Sequence, residues 1–93
     1  MEFEWDPAKS DSNVEKHGID FQDAMRVFAD SRTRLTNVTR PEHGETRFKA
    51  VRMVDEQIIA VIFTDRGAVR RIISARRSRK NERRDYLDEG KTP

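Results

Sequence analysis

The sequence lacks cysteine altogether and contains only two histidines. The missing cysteine excludes disulfide bonds, thiolate metal sites and a thiol nucleophile. The two histidines, His17 and His43, belong to no clustered ligand pattern, so we expect no metal site and no cofactor. No apolar run approaches the roughly 20 residues that a membrane span needs. We therefore expect a cytoplasmic protein that does not bind a membrane.

Apolar residues are also scarce. Of the 93 residues, 34% are hydrophobic and 39% are charged. A chain of this length forms one domain with a modest core, and here its surface must be almost entirely ionic. We expect residues 1–93 to fold as a single domain.

Charge is unevenly distributed, although the net charge is only +2. Residues 1–30 contain eight acids and three bases, whereas residues 66–84 contain nine bases and one acid, Glu82. Such asymmetry predicts a surface that faces a polyanion. Any single arginine is more simply explained as a solvated side chain, but nine bases in this short stretch favour a nucleic-acid or phosphate surface.

The front of the chain predicts a strand and two helices. Residues 2–5 alternate acid with aromatic, which is typical of a strand. Asp6 and Pro7 suit a helix start, and Gly18 suits its end. Ala8 and Val14 are the only clear apolar contacts of this first helix. Asp20 can cap a second, amphipathic helix whose apolar face comprises Phe21, Ala24, Met25, Val27 and Phe28.

From residue 32 onwards the pattern has a period of two. Strands are predicted at 32–38, 45–54 and 58–63, and another begins near Val69. A last helix follows, for which Ser78 can serve as the cap. The fold class is therefore α+β: two N-terminal helices, an antiparallel four- to five-stranded sheet and a C-terminal helix.

Two segments carry a family resemblance. Residues 3–30 (FEWDPAKSDSNVEKHGIDFQDAMRVFAD) resemble the opening of the BrnT family of toxins, and residues 71–86 (RIISARRSRKNERRDY) are similar to its closing segment. The specific motifs are Trp5-Asp6, Lys16-His17-Gly18 and Ile73-Ser74-Ala75-Arg76. One departure is Ser78-Arg79, where a small residue followed by serine or threonine is typical of the family.

The resemblance implies a RelE-like fold and a toxin that cleaves RNA and so blocks translation. It also implies two partners, RNA and a cognate antitoxin. That antitoxin would carry a ribbon-helix-helix DNA-binding domain, and the two proteins would form a heterotetramer that represses its own operon.

The residues themselves suggest how RNA cleavage without a metal could work. Such cleavage needs a base, an acid and donors that hold the phosphate. Arginine can hold a phosphate but cannot act as a base. Alternation along the last strand places three polar residues on one face: Arg70, Ser74 and Arg76. In the strand at 45–54, it places Arg47 and Lys49 on the face away from Phe48 and Ala50. We assign catalytic roles to Lys49, Arg70 and Arg76; the alternative for either arginine is a salt bridge to Glu82 or another acid.

Proton transfer has few candidates. Neighbouring arginines disfavour a further positive charge, which makes the amine of Lys49 one candidate. The phenol of Tyr86 is another, and we assign it a catalytic role. The alternatives are a solvated lysine and a tyrosine that packs the last helix. Glu82 could orient an arginine or act as a base, although a structural ion pair is the simpler interpretation.

The remaining basic candidates are assigned to RNA binding: Arg47, Arg79, Arg83 and His17. For His17 the alternative is a residue that only complements the dipole at its helix end.

Two functions of different classes fit these residues. The first is a metal-independent endoribonuclease toxin, favoured by the resemblance. The alternative is a non-catalytic nucleic-acid-binding module that uses the same arginine-rich surface. A DNA-reading regulator fits less well, because no helix-turn-helix or paired basic region is visible.

Overall fold

The computed structural model describes residues 1–29 and 32–89. Its elements in chain order are β1 (Glu2–Glu4), α1 (Pro7–His17), α2 (Phe21–Ala24) with a 3-10 turn (Met25–Ala29), β2 (Arg34–Asn37), a second 3-10 turn (Pro41–His43), β3 (Phe48–Val54), β4 (Gln57–Arg66), β5 (Val69–Arg77) and α3 (Lys80–Glu89).

The strands form one five-stranded sheet in the order β1-β5-β4-β3-β2. Strands β2 to β5 are antiparallel neighbours, whereas β1 runs parallel to β5, with Phe3 opposite Arg70. The predicted α+β class, the strand number and the C-terminal helix are confirmed. The sheet is mixed rather than wholly antiparallel, because an alternating pattern shows that a segment is a strand but not in which direction it pairs.

The predicted caps of the N-terminal helices are present. The carboxylate of Asp6 accepts a hydrogen bond from the backbone N–H of Ala8 at 2.9 Å, and Gly18 ends α1 with a φ of 72°. Asp20 likewise accepts from the N–H of Asp23 at 2.7 Å. The second helix is shorter than predicted, because the chain tightens into the 3-10 turn after Ala24. Its apolar residues still reach the core.

The buried residue of α1 is a polar one, Asn13. Its amide nitrogen donates to the carbonyl oxygens of Ile19 and Ala75, both at 2.7 Å, and its oxygen accepts from the N–H of Ala75 at 3.2 Å. The side chain thus joins α1 and the α1–α2 connection to β5. The prediction that Ala8 and Val14 supply the apolar contacts of α1 is wrong, since Ala8 is exposed and Val14 is 45% exposed.

The two faces of the sheet differ in how they are covered. The face under α1 and α2 holds the main core, which comprises Ile19, Phe21, Ala24, Val27, Ala50, Ile59, Val61, Phe63, Ile72 and Ala75. On the other face, Val51, Ile58 and Ala60 form a small apolar cluster against which Tyr86 of α3 packs. We call these the helix face and the α3 face.

A β-bulge at Ile73 changes which residues of β5 share a face. Phe63 of β4 pairs with Ile72, but the preceding Ile62 pairs with Ser74, so Ile73 has no partner in the register. Before the bulge Arg70 and Ile72 lie on the helix face, and after it Ala75 does. The prediction that Arg70 shares a face with Ser74 and Arg76 is therefore wrong. The inserted residue breaks the strict alternation on which it rested.

Candidate active site

The most densely bonded side chain on the α3 face is the carboxylate of Glu82, in the first turn of α3. Its Oε1 accepts from Nη1 of Arg76 and from the backbone N–H of Arg79, both at 2.7 Å. Its Oε2 accepts from Nζ of Lys49 at 2.6 Å and from Nη2 of Arg76 at 2.9 Å. We refer to Lys49, Arg76, Glu82 and the N–H of Arg79 as the Glu82 cluster.

Three elements supply the charged side chains of this cluster: β3 carries Lys49, β5 carries Arg76 and α3 carries Glu82. Strand β4 runs between β3 and β5. Ala60 of β4 lies directly opposite Arg76, and its small side chain leaves room for longer ones to converge above it. One helical turn after Glu82, the ring of Tyr86 packs on the apolar cluster around Ala60. This contact holds the first turn of α3 over the sheet.

The electrostatics of the cluster keep Glu82 ionised. The bidentate hydrogen bond from Arg76 lowers the pKa of the Glu82 carboxyl far below its usual range; the N–H of Arg79 and the ammonium of Lys49 act in the same direction, against the effect of burial. The same bond raises the pKa of the Arg76 guanidinium. Each oxygen of Glu82 already accepts two hydrogen bonds. A carboxylate so engaged is a poor acceptor for a further proton.

The cations of the cluster face the solvent more than the carboxylate does. The side chain of Glu82 is 4% exposed, compared with 20% for Lys49 and 22% for Arg76. An anion approaching the α3 face therefore meets the N–H donors of Lys49 and Arg76 rather than the carboxylate beneath them. Tyr86 is half-buried, and in the described part of the chain its phenol oxygen forms no hydrogen bond.

Arg70 does not join this cluster. Its guanidinium lies on the helix face, 4.8 Å from the ring centroid of Phe28 and 4.3 Å from that of Phe63. It also donates to both oxygens of Asp65, at 2.8 and 3.0 Å. The alternative stated for Arg70, a structural salt bridge, is what the structure shows.

The four residues predicted to bind RNA lie in different places. Arg47 directly precedes β3 and forms an ion pair with Glu45 at 3.3 Å. His17 is the exposed last residue of α1, which packs on the helix face, away from the Glu82 cluster. Arg79, directly before α3, and Arg83, in its first turn, are exposed, and they form no ion pair with the side chains of residues 1–29 and 32–88.

Sequence reasoning missed the central position of Glu82. It considered this residue as an ion-pair partner, as a residue that orients one arginine or as a base, but not as the point where Lys49 and Arg76 converge. A signal was present: Glu82 lies three residues after Arg79, the spacing at which a glutamate reaches back to the N–H of a helix start. The burial of Asn13 had no comparable signal, because a polar residue in a polar helix is expected to be exposed to solvent.

The structure also bears on metals and membranes. Among the residues that it describes, no three histidine, aspartate or glutamate side chains come close enough together to hold a metal ion. None of the described helices has the length and apolar character needed to cross a bilayer.

Comparison with known proteins gives the class of this protein. The chain is similar to the ribonuclease toxins of type II toxin-antitoxin systems. The family model described as "Ribonuclease toxin, BrnT, of type II toxin-antitoxin system" matches residues 5–82, and the chain belongs to this BrnT family. No match was found among curated proteins. The matched range contains all residues of the Glu82 cluster, and membership implies an RNA target and an antitoxin partner.

Proposed function

We propose that this toxin is a metal-independent endoribonuclease that blocks translation by cutting RNA on the α3 face. The observation that supports this most directly is the pair of cations, Lys49 and Arg76, held together by a buried carboxylate. Their exposed donors form a site for a phosphate group. The geometry suits a reaction in which charge develops on phosphate oxygens.

In this proposal the RNA supplies its own nucleophile. The 2′-hydroxyl attacks the adjacent phosphorus, the bond from phosphorus to the 5′-oxygen breaks, and the products are a 2′,3′-cyclic phosphate and a 5′-hydroxyl. Arg76 binds the non-bridging oxygens, which its planar guanidinium fits well. It remains protonated throughout, so it stabilises charge without transferring a proton.

Proton transfer is assigned to the two other groups on this face. The ammonium of Lys49, paired with Glu82, can donate a proton to the departing 5′-oxygen. The phenol of Tyr86 has no hydrogen-bond partner in the described part of the chain. Its oxygen can accept the proton of the 2′-hydroxyl while its own proton passes to a non-bridging phosphate oxygen. Glu82 is not a candidate base, because its oxygens are fully engaged.

Binding of the flanking RNA is assigned to the unpaired cations near the start of α3. Arg79 and Arg83 can reach backbone phosphates on either side of the cluster, because both are exposed and without an ion pair in the described residues. Arg47 would contribute less, since Glu45 already neutralises it. We assign no role in RNA binding to His17, which lies on the other side of the sheet.

The antitoxin partner is proposed to carry a ribbon-helix-helix DNA-binding domain and to form a heterotetramer with the toxin. Family membership supports an antitoxin partner, and the domain type and the stoichiometry are part of this proposal. An acidic segment of the antitoxin laid over the basic α3 face would neutralise the toxin by occupying the RNA site.

The proposal is tested by incubating the purified protein with bulk cellular RNA in excess EDTA and resolving the products on a denaturing gel. We expect cleavage that survives the chelator. Lys49→Ala, Arg76→Ala and Tyr86→Phe should each reduce it sharply. Arg70→Ala is the matched control: it removes an arginine of the same strand from the opposite face, and cleavage per folded molecule should persist.

Other outcomes separate the alternatives. RNA binding without cleavage would leave a ribosome-dependent toxin or a non-catalytic binding module. Expression in growing cells then distinguishes these two, since only the toxin arrests growth. Cleavage that is lost in EDTA and restored by a divalent metal would contradict metal independence.

A further inference from the structure

We propose that Glu82 is the positioning residue of this site. It holds Lys49 and Arg76 against one carboxylate so that both present their remaining N–H donors to the same phosphate. This inference rests on the proposed function, since it assigns a role within the cleavage site. It also makes a structural claim that can be tested without cleavage.

The first argument is the convergence of two like charges. Nζ of Lys49 and Nη2 of Arg76 both donate to Oε2 of Glu82, at 2.6 and 2.9 Å. The two side chains belong to strands that are separated by β4. Bringing two cations this close costs free energy, because their mutual repulsion is strong outside bulk water, and an anion between them offsets that cost. Glu82 is the anion that brings them together.

The second argument is the order in which the groups are layered. The carboxylate is nearly inaccessible at 4% exposure, whereas Lys49 and Arg76 are about one-fifth exposed. An ammonium has three N–H donors and a guanidinium has five. Glu82 engages only some of them, so the outward donors remain for a ligand. The carboxylate thus supports the cations from below and does not compete for the solvent side.

A purely structural role for Glu82 is the interpretation that must be separated from this one. Its Oε1 also accepts from the N–H of Arg79, which stabilises the start of α3. Glu82→Asp distinguishes the two roles. Aspartate keeps an acid in the first turn of the helix, where the dipole favours it. Its side chain is one methylene shorter, so its carboxylate is withdrawn from the position where Lys49 and Arg76 now meet.

The test measures cleavage of a fluorescently labelled single-stranded oligoribonucleotide by the full-length protein. Assayed well below its melting temperature, Glu82→Asp should lower kcat about 100-fold with little change in KM, because misplacing a catalytic group costs rate rather than ground-state binding. Asp85→Asn is the matched control: it removes an exposed acid one turn further along α3 and should behave like the wild type. Glu82→Asp that cleaves at the wild-type rate would overturn the proposal.

A double-mutant cycle adds a readout that a structural role would not affect. If Glu82 acts by positioning Arg76, then Arg76→Ala should cost much less in the Glu82→Asp background than in the wild type. Equal factors in both backgrounds would mean that the two residues act independently, which contradicts positioning.

The last measurement does not depend on catalysis, so it separates failure of this inference from failure of the proposed function. In nitrogen-15 NMR spectra, the guanidinium of Arg76 should rotate slowly in the wild type and freely in Glu82→Asp. Free rotation in the wild type would refute positioning even if the protein cleaves RNA. Slow rotation in a protein that neither cleaves RNA nor arrests growth would support positioning while the ribonuclease assignment fails.

Discussion

Glu82 carries its charge where water hardly reaches, and this should affect how stability depends on pH. Its pKa is lowered in the folded protein, whereas in the unfolded chain a glutamate titrates near pH 4.3. Its contribution to stability is therefore fully present above about pH 4.3 and is lost as the pH falls towards the folded value. We expect Glu82→Gln to be less stable than the wild type at pH 7, and the difference to shrink below about pH 4.

The measurement is urea unfolding of both proteins across this pH range. Glu45 and Asp55 also have lowered pKa values, each through a hydrogen bond from an arginine, but both proteins share them, so subtraction removes their effect. A stability difference that is independent of pH would show that the charge of Glu82 is not what matters.

Asn13 is another buried polar side chain with a clear structural role. Removing its amide leaves the N–H and C=O of Ala75 and the C=O of Ile19 without this partner. Unsatisfied buried groups cost about 1–3 kcal/mol each, so Asn13→Ala should lower the free energy of unfolding by about 3 kcal/mol. Glu15→Gln, an exposed change in the same helix, should cost less than about 0.5 kcal/mol. A similar small loss for both variants in urea unfolding would contradict this role.

The β3–β4 hairpin forms although its turn requires a left-handed backbone at two residues that are not glycine. Its two turn residues, Asp55 and Glu56, have φ values of 50° and 68°. A left-handed conformation costs a non-glycine residue about 1–2 kcal/mol, and glycine avoids this at a smaller cost in chain entropy. Glu56→Gly should therefore raise the free energy of unfolding by about 0.5 kcal/mol.

Glu56→Ala is the control for this hairpin, because it removes the same charge but keeps a Cβ atom. It should not stabilise the protein in thermal unfolding. If both variants gained the same stability, the cause would be charge rather than backbone conformation.

The elements themselves could largely be predicted from local chemistry. Asp6, Gly18 and Asp20 mark helix ends because their side chains or their conformational freedom act within a few residues. The bulge at Ile73 had no such mark: Ile72 and Ile73 are both good strand residues, and no glycine or proline accompanies them. A bulge reflects how a whole strand fits its neighbour, and this information is not local. The wrong face for Arg70 followed from that single inserted residue.

The candidate site was only partly predictable, because some of its contacts join residues that are distant in sequence. Lys49 and Arg76 could be proposed from strand alternation, and the family resemblance indicated the reaction. Their convergence on one carboxylate could not be proposed, because it depends on where α3 lies over the sheet. That position is determined by contacts between Tyr86 and residues of β3 and β4, which are distant in sequence.

The charge of the whole molecule hides a local excess that salt dependence should reveal. Exposed cations that already have an anionic partner release few counterions when RNA binds, whereas unpaired ones release about 0.7 per phosphate contact with a single strand. Arg79 and Arg83 are unpaired within the described residues and lie beside the Glu82 cluster. Replacing both with glutamine should reduce the slope of log affinity against log salt by about 0.7 for each.

Lys9→Gln with Lys16→Gln provides the matched control, since it removes the same charge from exposed positions on α1, on the helix face. If RNA binds the α3 face, this control leaves the salt slope unchanged while the Arg79 and Arg83 variant lowers it. Equal slopes in titrations of a labelled oligoribonucleotide would mean that RNA responds only to net charge. We expect the two slopes to differ, because a net charge of only +2 attracts a polyanion weakly unless the cations are gathered on one face.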